Sequence, residues 1–177
     1  MDNNTKSIVL GGGCFWCLEA FLQLLNGVID VTPGYAGGTT VDPTYEQVCY
    51  GIGNHAEVVQ VVYDPSIMPL SALLEVFWSI HDPTTLNAQG HDVGPQYRSA
   101  IYYSVDEELS AINTARAKAA TYWSNPIVTE IKKLDVFYKA ENYHKNYFQN
   151  IPDKAYCQVV INPKLEKVQQ KFANMLK

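Results

Sequence analysis

The 177-residue chain has no basic run and no long apolar run. It holds 13 Lys and Arg against 18 Asp and Glu, a net charge of −5. A nucleic-acid partner would need a cationic stripe, so that class is set aside. No apolar stretch approaches the length that crosses a bilayer, so no membrane role is expected. The N-terminus, Met1-Asp2-Asn3-Asn4-Thr5-Lys6, is polar, and the apolar run behind it is too short for a secretory signal. The expectation is a cytoplasmic protein, read as a monomer. There is no repeat, linker or low-complexity segment, so residues 1–177 are read as one domain. Apolar residues at 47% against charged residues at 18% make it globular rather than disordered. Gly11-Gly12-Gly13 lacks the G-x-G-x-x-G spacing of a dinucleotide loop, and bulky Phe15-Trp16 would obstruct a pyrophosphate. No second C-x-x-C and no H-x-x-x-H accompanies Cys14 and Cys17, so no metal site is expected, even with Cys49 and His55 as candidate extra ligands. Four cysteines in a cytoplasmic chain read as chemistry or packing rather than as a permanent disulfide framework.

What is present centres on Gly11-Gly12-Gly13-Cys14-Phe15-Trp16-Cys17. Apolar Ile8-Val9-Leu10 leads in and a helix-compatible run, Leu18 to Leu25, leads out. The pattern is strand, glycine turn, helix, with Cys14 at the helix start. Glycines permit backbone angles that other residues resist. The free N–H groups and positive dipole end of a helix favour a thiolate, so Cys14 is expected to be more acidic than an ordinary cysteine. The bland alternative is a small buried hydrophobe. Cys14 and Cys17 form a C-x-x-C on one helical face, within disulfide reach.

Along the chain, Val28 to Val31 reads as a strand and Thr32 to Gly38 as a loop, from its Pro and Gly content. Ala56 to Tyr63 is the clearest strand. Met68 to Ile80 reads as an amphipathic helix opened by Pro69, with Leu70, Leu73, Leu74 and Phe77 at helical spacing. Thr84 to Gln96 reads as a long polar loop, a length that tends to be functional. Tyr97 to Tyr103 reads as a strand and Ser104 to Trp123 as a helix with an acidic first turn. Ile127 to Tyr138 reads as strand, Ala140 to Phe148 as a short helix, and Cys157 to Ile161 as a last strand before a C-terminal helix. Alternating strands and helices imply a two-layer α/β fold on one mixed sheet.

Glu57 is an anomaly, a carboxylate near the start of an almost wholly apolar strand. At an edge or solvent-facing position it would be unremarkable. If buried, it would be pushed towards its neutral form and become a proton donor. Tyr35, Tyr45 and Tyr97 lie beside turns or at strand edges, where hydroxyls can converge; most of the twelve tyrosines should be core residues. Asp92 is a further polar candidate in the long loop. His55, His81, His91 and His144 show no triad or metal spacing.

These residues carry a resemblance. Gly12-Gly13-Cys14-Phe15-Trp16 resembles the signature of the peptide methionine sulfoxide reductase A family. The match continues through 32–38, 45–49, 55–59, 63–65, 96–102 and 140–144, in the family's order. The resemblance implies an α+β sandwich of ferredoxin-like type and thioredoxin-dependent reduction of the S epimer of methionine sulfoxide, free or in proteins, with no metal or organic cofactor. It implies Cys14 as nucleophile, Phe15 and Trp16 as the methyl pocket, and Glu57 as proton donor. Tyr45 and Tyr97 would bind the sulfoxide oxygen, with Asp92 a polar residue of the site. Two positions depart from the usual pattern. Cys17 stands where a Gly is common, and Cys157 stands alone where many members have cysteines in a Gly-rich tail. Cys17 is favoured as recycling thiol because local closure needs the least reorganisation, with Cys157 as a possible second recycling thiol. The competing readings are a general thiol–disulfide oxidoreductase using Cys14 and Cys17, and a non-catalytic thiol or metal-binding module. Glu57 with Tyr45 and Tyr97 discriminates, since disulfide exchange needs no acid-and-hydroxyl cage.

Overall fold

The computed structural model describes residues 4–177; Met1, Asp2 and Asn3 of the polar N-terminal stretch lie outside it. Six strands form one mixed sheet in the order β7-β6-β1-β3-β2-β8. They are β1 Lys6–Gly11, β2 Val28–Ala36, β3 Ala56–Tyr63, β6 Ala100–Tyr103, β7 Glu130–Lys133 and β8 Tyr138–Lys139. A separate hairpin is made by β4 Ala88–Gln89 and β5 Asp92–Val93. The helices are α1 Phe15–Leu22, α2 Tyr45–Cys49, α3 Leu70–Ser79, α4 Glu107–Ala120, α5 Tyr147–Asn150 and α6 Asn162–Lys171. The centre runs β1-α1-β2-β3-α3-β6 with sheet order β6-β1-β3-β2, which is the split βαββαβ topology of the ferredoxin-like sandwich that the resemblance implies. Among the described residues, β6 and β7 are the one pair of strands that runs parallel, which makes the sheet mixed.

Strand alternation decides what each face receives. Ile8 and Leu10 of β1 and Val59 and Val61 of β3 enter the main core with Phe15, Leu18, Phe21 and Leu22 of α1 and Leu73, Leu74 and Phe77 of α3. Val9, Val58 and Ala100 point to the other face, into a smaller cluster with Ala36, Ala56 and Tyr102. Each large apolar side chain buried in this way stabilises the fold by roughly 2 kcal/mol. Glu57 is in step with Val59 and Val61, so parity places its carboxyl on the helix-bearing face.

Several sequence expectations are corrected. The segment 32–38 is strand through Ala36 rather than loop. Pro33 is tolerated because β8 pairs with β2 only at Gly34 and Tyr35. Gly34 is required there, because a Cβ would run into the Phe137 ring. The expected strand 127–138 divides into β7 and β8, which lie on opposite edges of the sheet. Tyr97 ends a 3-10 turn, Pro95–Tyr97, and β6 starts three residues later. The long loop 84–96 contains the β4–β5 hairpin. The segment 140–148 is a 3-10 turn, Asn142–His144, followed by α5. The expected strand 157–161 is a helical turn running into α6. Its β-branched residues suggested strand, but burial follows the helical step: Cys157 and Ile161 are buried, whereas Val159 is 73% exposed. Packing overrides propensity here.

Candidate active site

Cys14 is the N-cap of α1, with φ −61° and ψ 127°, and its carbonyl accepts from Cys17 N at 3.1 Å. The turn into it depends on Gly13, whose φ is +82° and where a Cβ would lie 2.7 Å from Gln89 Cγ. Gly13 N–H donates to the Tyr97 carbonyl at 3.1 Å, which ties the 3-10 turn carrying Tyr97 to the loop that leads into Cys14.

Glu57 is 1% exposed. Its Oε2 accepts from the Phe15 backbone N–H at 3.2 Å, so the first free donor of α1 serves this carboxyl. Burial pushes the Glu57 carboxyl up to about 8, opposed by the Phe15 hydrogen bond and reinforced by the charge of Asp92. Near neutral pH it is a protonated, buried acid beside Cys14, as the sequence suggested for a buried position. Cys14 is a correction. Burial pushes its thiol well above the usual range, and the neighbouring Cys17 thiol and Glu57 add to the effect. Desolvation outweighs the helix end, whose leading N–H is engaged by Glu57. Cys17 moves the other way. A hydrogen bond with the Cys14 thiol lowers it, against the opposing effect of burial.

Tyr45 and Tyr97 reach the same group. Burial raises both hydroxyls, and both feel Glu57 and Cys14. Tyr45 is the first residue of α2, whose Thr44 N-cap accepts from Gln47 N while Gln47 Oε1 accepts from Thr44 N at 3.0 Å, a capping box. Phe15 is fully buried, its ring 6.3 Å from Trp16 and 6.3 Å from Tyr45. Trp16 is half-buried and stacks on Tyr147 at 3.7 Å. Asp92 sits on the β4–β5 hairpin, where its Oδ2 accepts from the Tyr156 hydroxyl at 2.9 Å. Cys157 is buried, close enough for the charge of Cys17 to act on its thiol after burial has raised it.

The sequence reading missed a strap, 141–147, that holds these parts. Glu141 accepts from the Tyr35 hydroxyl at 3.0 Å and from Tyr45 N at 3.0 Å, so the hydroxyl of Tyr35 is turned to the strap. His144 Nδ1 accepts from Trp16 Nε1–H at 3.0 Å, which puts the imidazole proton on Nε2. That Nε2 is buried with no partner among the described residues, and burial holds the imidazole below its ordinary range. Asn146 N donates to Glu19 Oε1 at 2.8 Å and anchors the strap on α1. The signal available in sequence was the block Ala140 to His144, but nothing in its spacing assigned it a partner. Tyr156 was also missed, since it stands just before the segment read as strand, where nothing in its spacing marked it.

Among the described residues, no group of three or more His, Cys, Asp or Glu side chains is placed to hold a metal ion, and no helix is long and apolar enough to cross a membrane. A cleft of about 810 Å³ between α3 and α4, with Trp78, Ala115 and Trp123 in its walls, is separate from this group and holds neither a cysteine nor a buried carboxyl. Chemistry rather than volume locates the site.

A family model described as peptide methionine sulfoxide reductase matches residues 6–176. The chain is 48% identical over 171 residues to the peptide methionine sulfoxide reductase MsrA of Paenarthrobacter aurescens (strain TC1), covering 97% of this chain and 98% of that one. The crystal structure of Mxr1 from Saccharomyces cerevisiae in reduced form is similar with TM-score 0.83 and 36% identity, covering 89% of this chain and 91% of that chain. Mxr1 in complex with Trx2 is similar with TM-score 0.60 and 28% identity, covering 83% and 87%. A sequence match from β1 to the last residues, on a shared fold, has one meaning for this chain: it belongs to the peptide methionine sulfoxide reductase family.

Proposed function

We propose that the chain reduces the S epimer of methionine sulfoxide, free or in proteins, to methionine, with Cys14 as nucleophile and Glu57 as proton donor. The observation that carries this reading is the buried, protonated Glu57 at the N-terminus of α1, next to Cys14. A sulfoxide sulfur is a poor electrophile until charge developing on its oxygen is met by a proton or hydrogen bonds. Tyr45 and Tyr97 supply hydroxyls to that oxygen, while Phe15 and Trp16 receive the methyl. Cys14 sulfur attacks the sulfoxide sulfur, the oxygen takes the Glu57 proton, and Glu57 recovers the proton that the thiol loses. The substrate's S–O bond and the transient bond between the two sulfurs then break as the hydroxyl forms a new S–O bond to Cys14, leaving methionine and a sulfenic acid, so the substrate is reduced by two electrons and Cys14 oxidised by two. The raised thiol of Cys14 suits this order, because its proton leaves only when an acceptor is in place.

Cys17 then attacks the sulfenic acid and releases water. Its short separation from Cys14 and its lowered thiol support that role. Cys157 is the second recycling thiol, able to take over the disulfide by exchange. The complex of yeast Mxr1 with Trx2 supports a thioredoxin as final reductant. In this reading residues 1–177 act as one catalytic domain, a cytoplasmic monomer that uses neither metal nor organic cofactor. Disulfide exchange alone would give no role to a buried acid flanked by two tyrosines. The test is Glu57→Gln in a single turnover without reductant. Methionine formation should slow by ~10²-fold or more, the loss typical of a removed general acid. Methionine formed at the wild-type rate would sink the assignment.

A further inference from the structure

The recycling step has a requirement that the residues above do not meet. Cys17 must lose its proton as it attacks the Cys14 sulfenic acid. Its sulfur lies 3.9 Å from the Tyr156 hydroxyl, which itself donates to Asp92 Oδ2 at 2.9 Å. Three separate segments meet here: α1, the β4–β5 hairpin, and the residue that precedes the helical turn 157–161. Because the phenolic O–H is given to Asp92, its lone pairs face the Cys17 thiol as acceptor. The Tyr156 ring is fixed by an edge-on contact with Trp16 at 5.8 Å. Asp92 is half-buried, so it can return a proton to solvent.

We propose that the Tyr156 hydroxyl, held between the Cys17 sulfur and the Asp92 carboxylate, accepts the Cys17 proton when Cys17 closes the disulfide with Cys14. The proposal rests on the sulfoxide reductase reading and on Cys17 as recycling thiol. In the step the Cys17 S–H bond breaks, and its electron pair forms the S–S bond to Cys14. The Cys14 S–O bond breaks, and the departing hydroxide takes the Glu57 proton to become water. The thiol proton passes to Tyr156 as the phenolic proton passes to Asp92. Asp92 releases that proton to solvent, and Glu57 regains one. Cys17 and the sulfenic sulfur of Cys14 end as one disulfide, so no further oxidant is needed. Asp92 thereby acts through Tyr156 in recycling rather than on the sulfoxide.

The experiment mixes the full chain with one equivalent of methionine S-sulfoxide without reductant and stops it at intervals. Methionine is counted, and surviving sulfenic acid is trapped with dimedone and measured by mass. In Tyr156→Phe, which keeps the ring, the sulfenic acid should persist about 10²-fold longer, the low end for a positioned proton acceptor. Methionine formation should slow far less, so the ratio of the two rates changes. Asp92→Asn, which removes the proton outlet, should shift that ratio in the same direction. Sulfenic acid lost at an unchanged rate relative to methionine formation in both variants would overturn the proposal. So would sulfenic acid vanishing from Cys17→Ser as fast as from wild type, since Tyr156 would then have no thiol to serve. Failure of the wild type to form methionine would instead strike the reductase reading itself.

Discussion

At the scale of the residue, Glu57 links burial to both stability and rate. Its ordinary value is 4.5 and burial raises it to about 8, so the folded chain holds this proton more tightly than the unfolded chain does. A group of this kind contributes most below its unfolded value, and the contribution fades as pH rises towards its folded value. Wild-type stability should therefore decline relative to Glu57→Gln between about pH 5 and pH 8, measured as the difference in melting temperature. A difference that grows in favour of wild type over that range would contradict the burial argument. The donating form of the acid is also lost as pH rises through about 8. Single-turnover methionine formation should fall on that limb in wild type, and the limb should vanish in Glu57→Gln. His144 supports a second prediction. It is the acceptor for the Trp16 indole, and with Tyr147 it fixes the ring to which the proposed mechanism assigns the methyl. Removing one hydrogen-bond partner costs about 1 kcal/mol, so His144→Leu should lower kcat/KM roughly fivefold, and His144→Asn should recover most of it. In a Trp16→Phe background the same His144→Leu change should have almost no further effect. Equal losses in both backgrounds would show that His144 acts elsewhere.

At the scale of the element, each residue of the proposed site stands at the start of a helix, in a turn or hairpin, or near the start of a strand. Cys14 caps α1, Tyr45 starts α2, Glu57 is the second residue of the interior strand β3 and Asp92 sits in a two-strand hairpin. The α2 helix has only five residues, so its position rests on the Thr44–Gln47 capping box and on Glu141. Thr44→Ala should cost about 1 kcal/mol and weaken substrate binding through Tyr45, seen as a rise in KM larger than the fall in kcat. An unchanged KM would mean that Glu141 alone sets the tyrosine. The same scale separates legible from illegible sequence. Ala56 to Tyr63 is β-branched and bounded by turn residues, and its limits were readable to the residue. Residues 32–36 hid a strand behind Pro33 and Gly34, because the tolerance for both depends on where β8 happens to pair. Residues 157–161 hid a helix behind valines, because the burial step that reveals it belongs to the tertiary fold.

At the scale of the whole molecule, the order of strands and helices was enough to imply a two-layer mixed sheet, since short connections leave few ways to arrange βαββαβ. The chemistry was legible where residue type and local turn coincide, as at Gly13-Cys14 and Glu57. It was illegible where contacts span the chain. His144 meets Trp16 across 128 positions, and Tyr156 meets Cys17 across 139, so no local pattern records either pair. The elevated thiol of Cys14 was hidden for a similar reason, because the burial that raises it comes from the assembled core. The central claim is that Cys14, the Glu57–Tyr45–Tyr97 group and the Phe15–Trp16 wall define one hand at a pyramidal sulfur. The most direct measurement gives the reductant-free chain one equivalent of each methionine sulfoxide epimer in separate single turnovers and counts the methionine. The account predicts one methionine per chain from the S epimer, with the sulfenic acid trapped on Cys14 in Cys17→Ser, and none from the R epimer. Equal yields from the two epimers, or methionine formed in Cys17→Ser with Cys14 unoxidised, would contradict it.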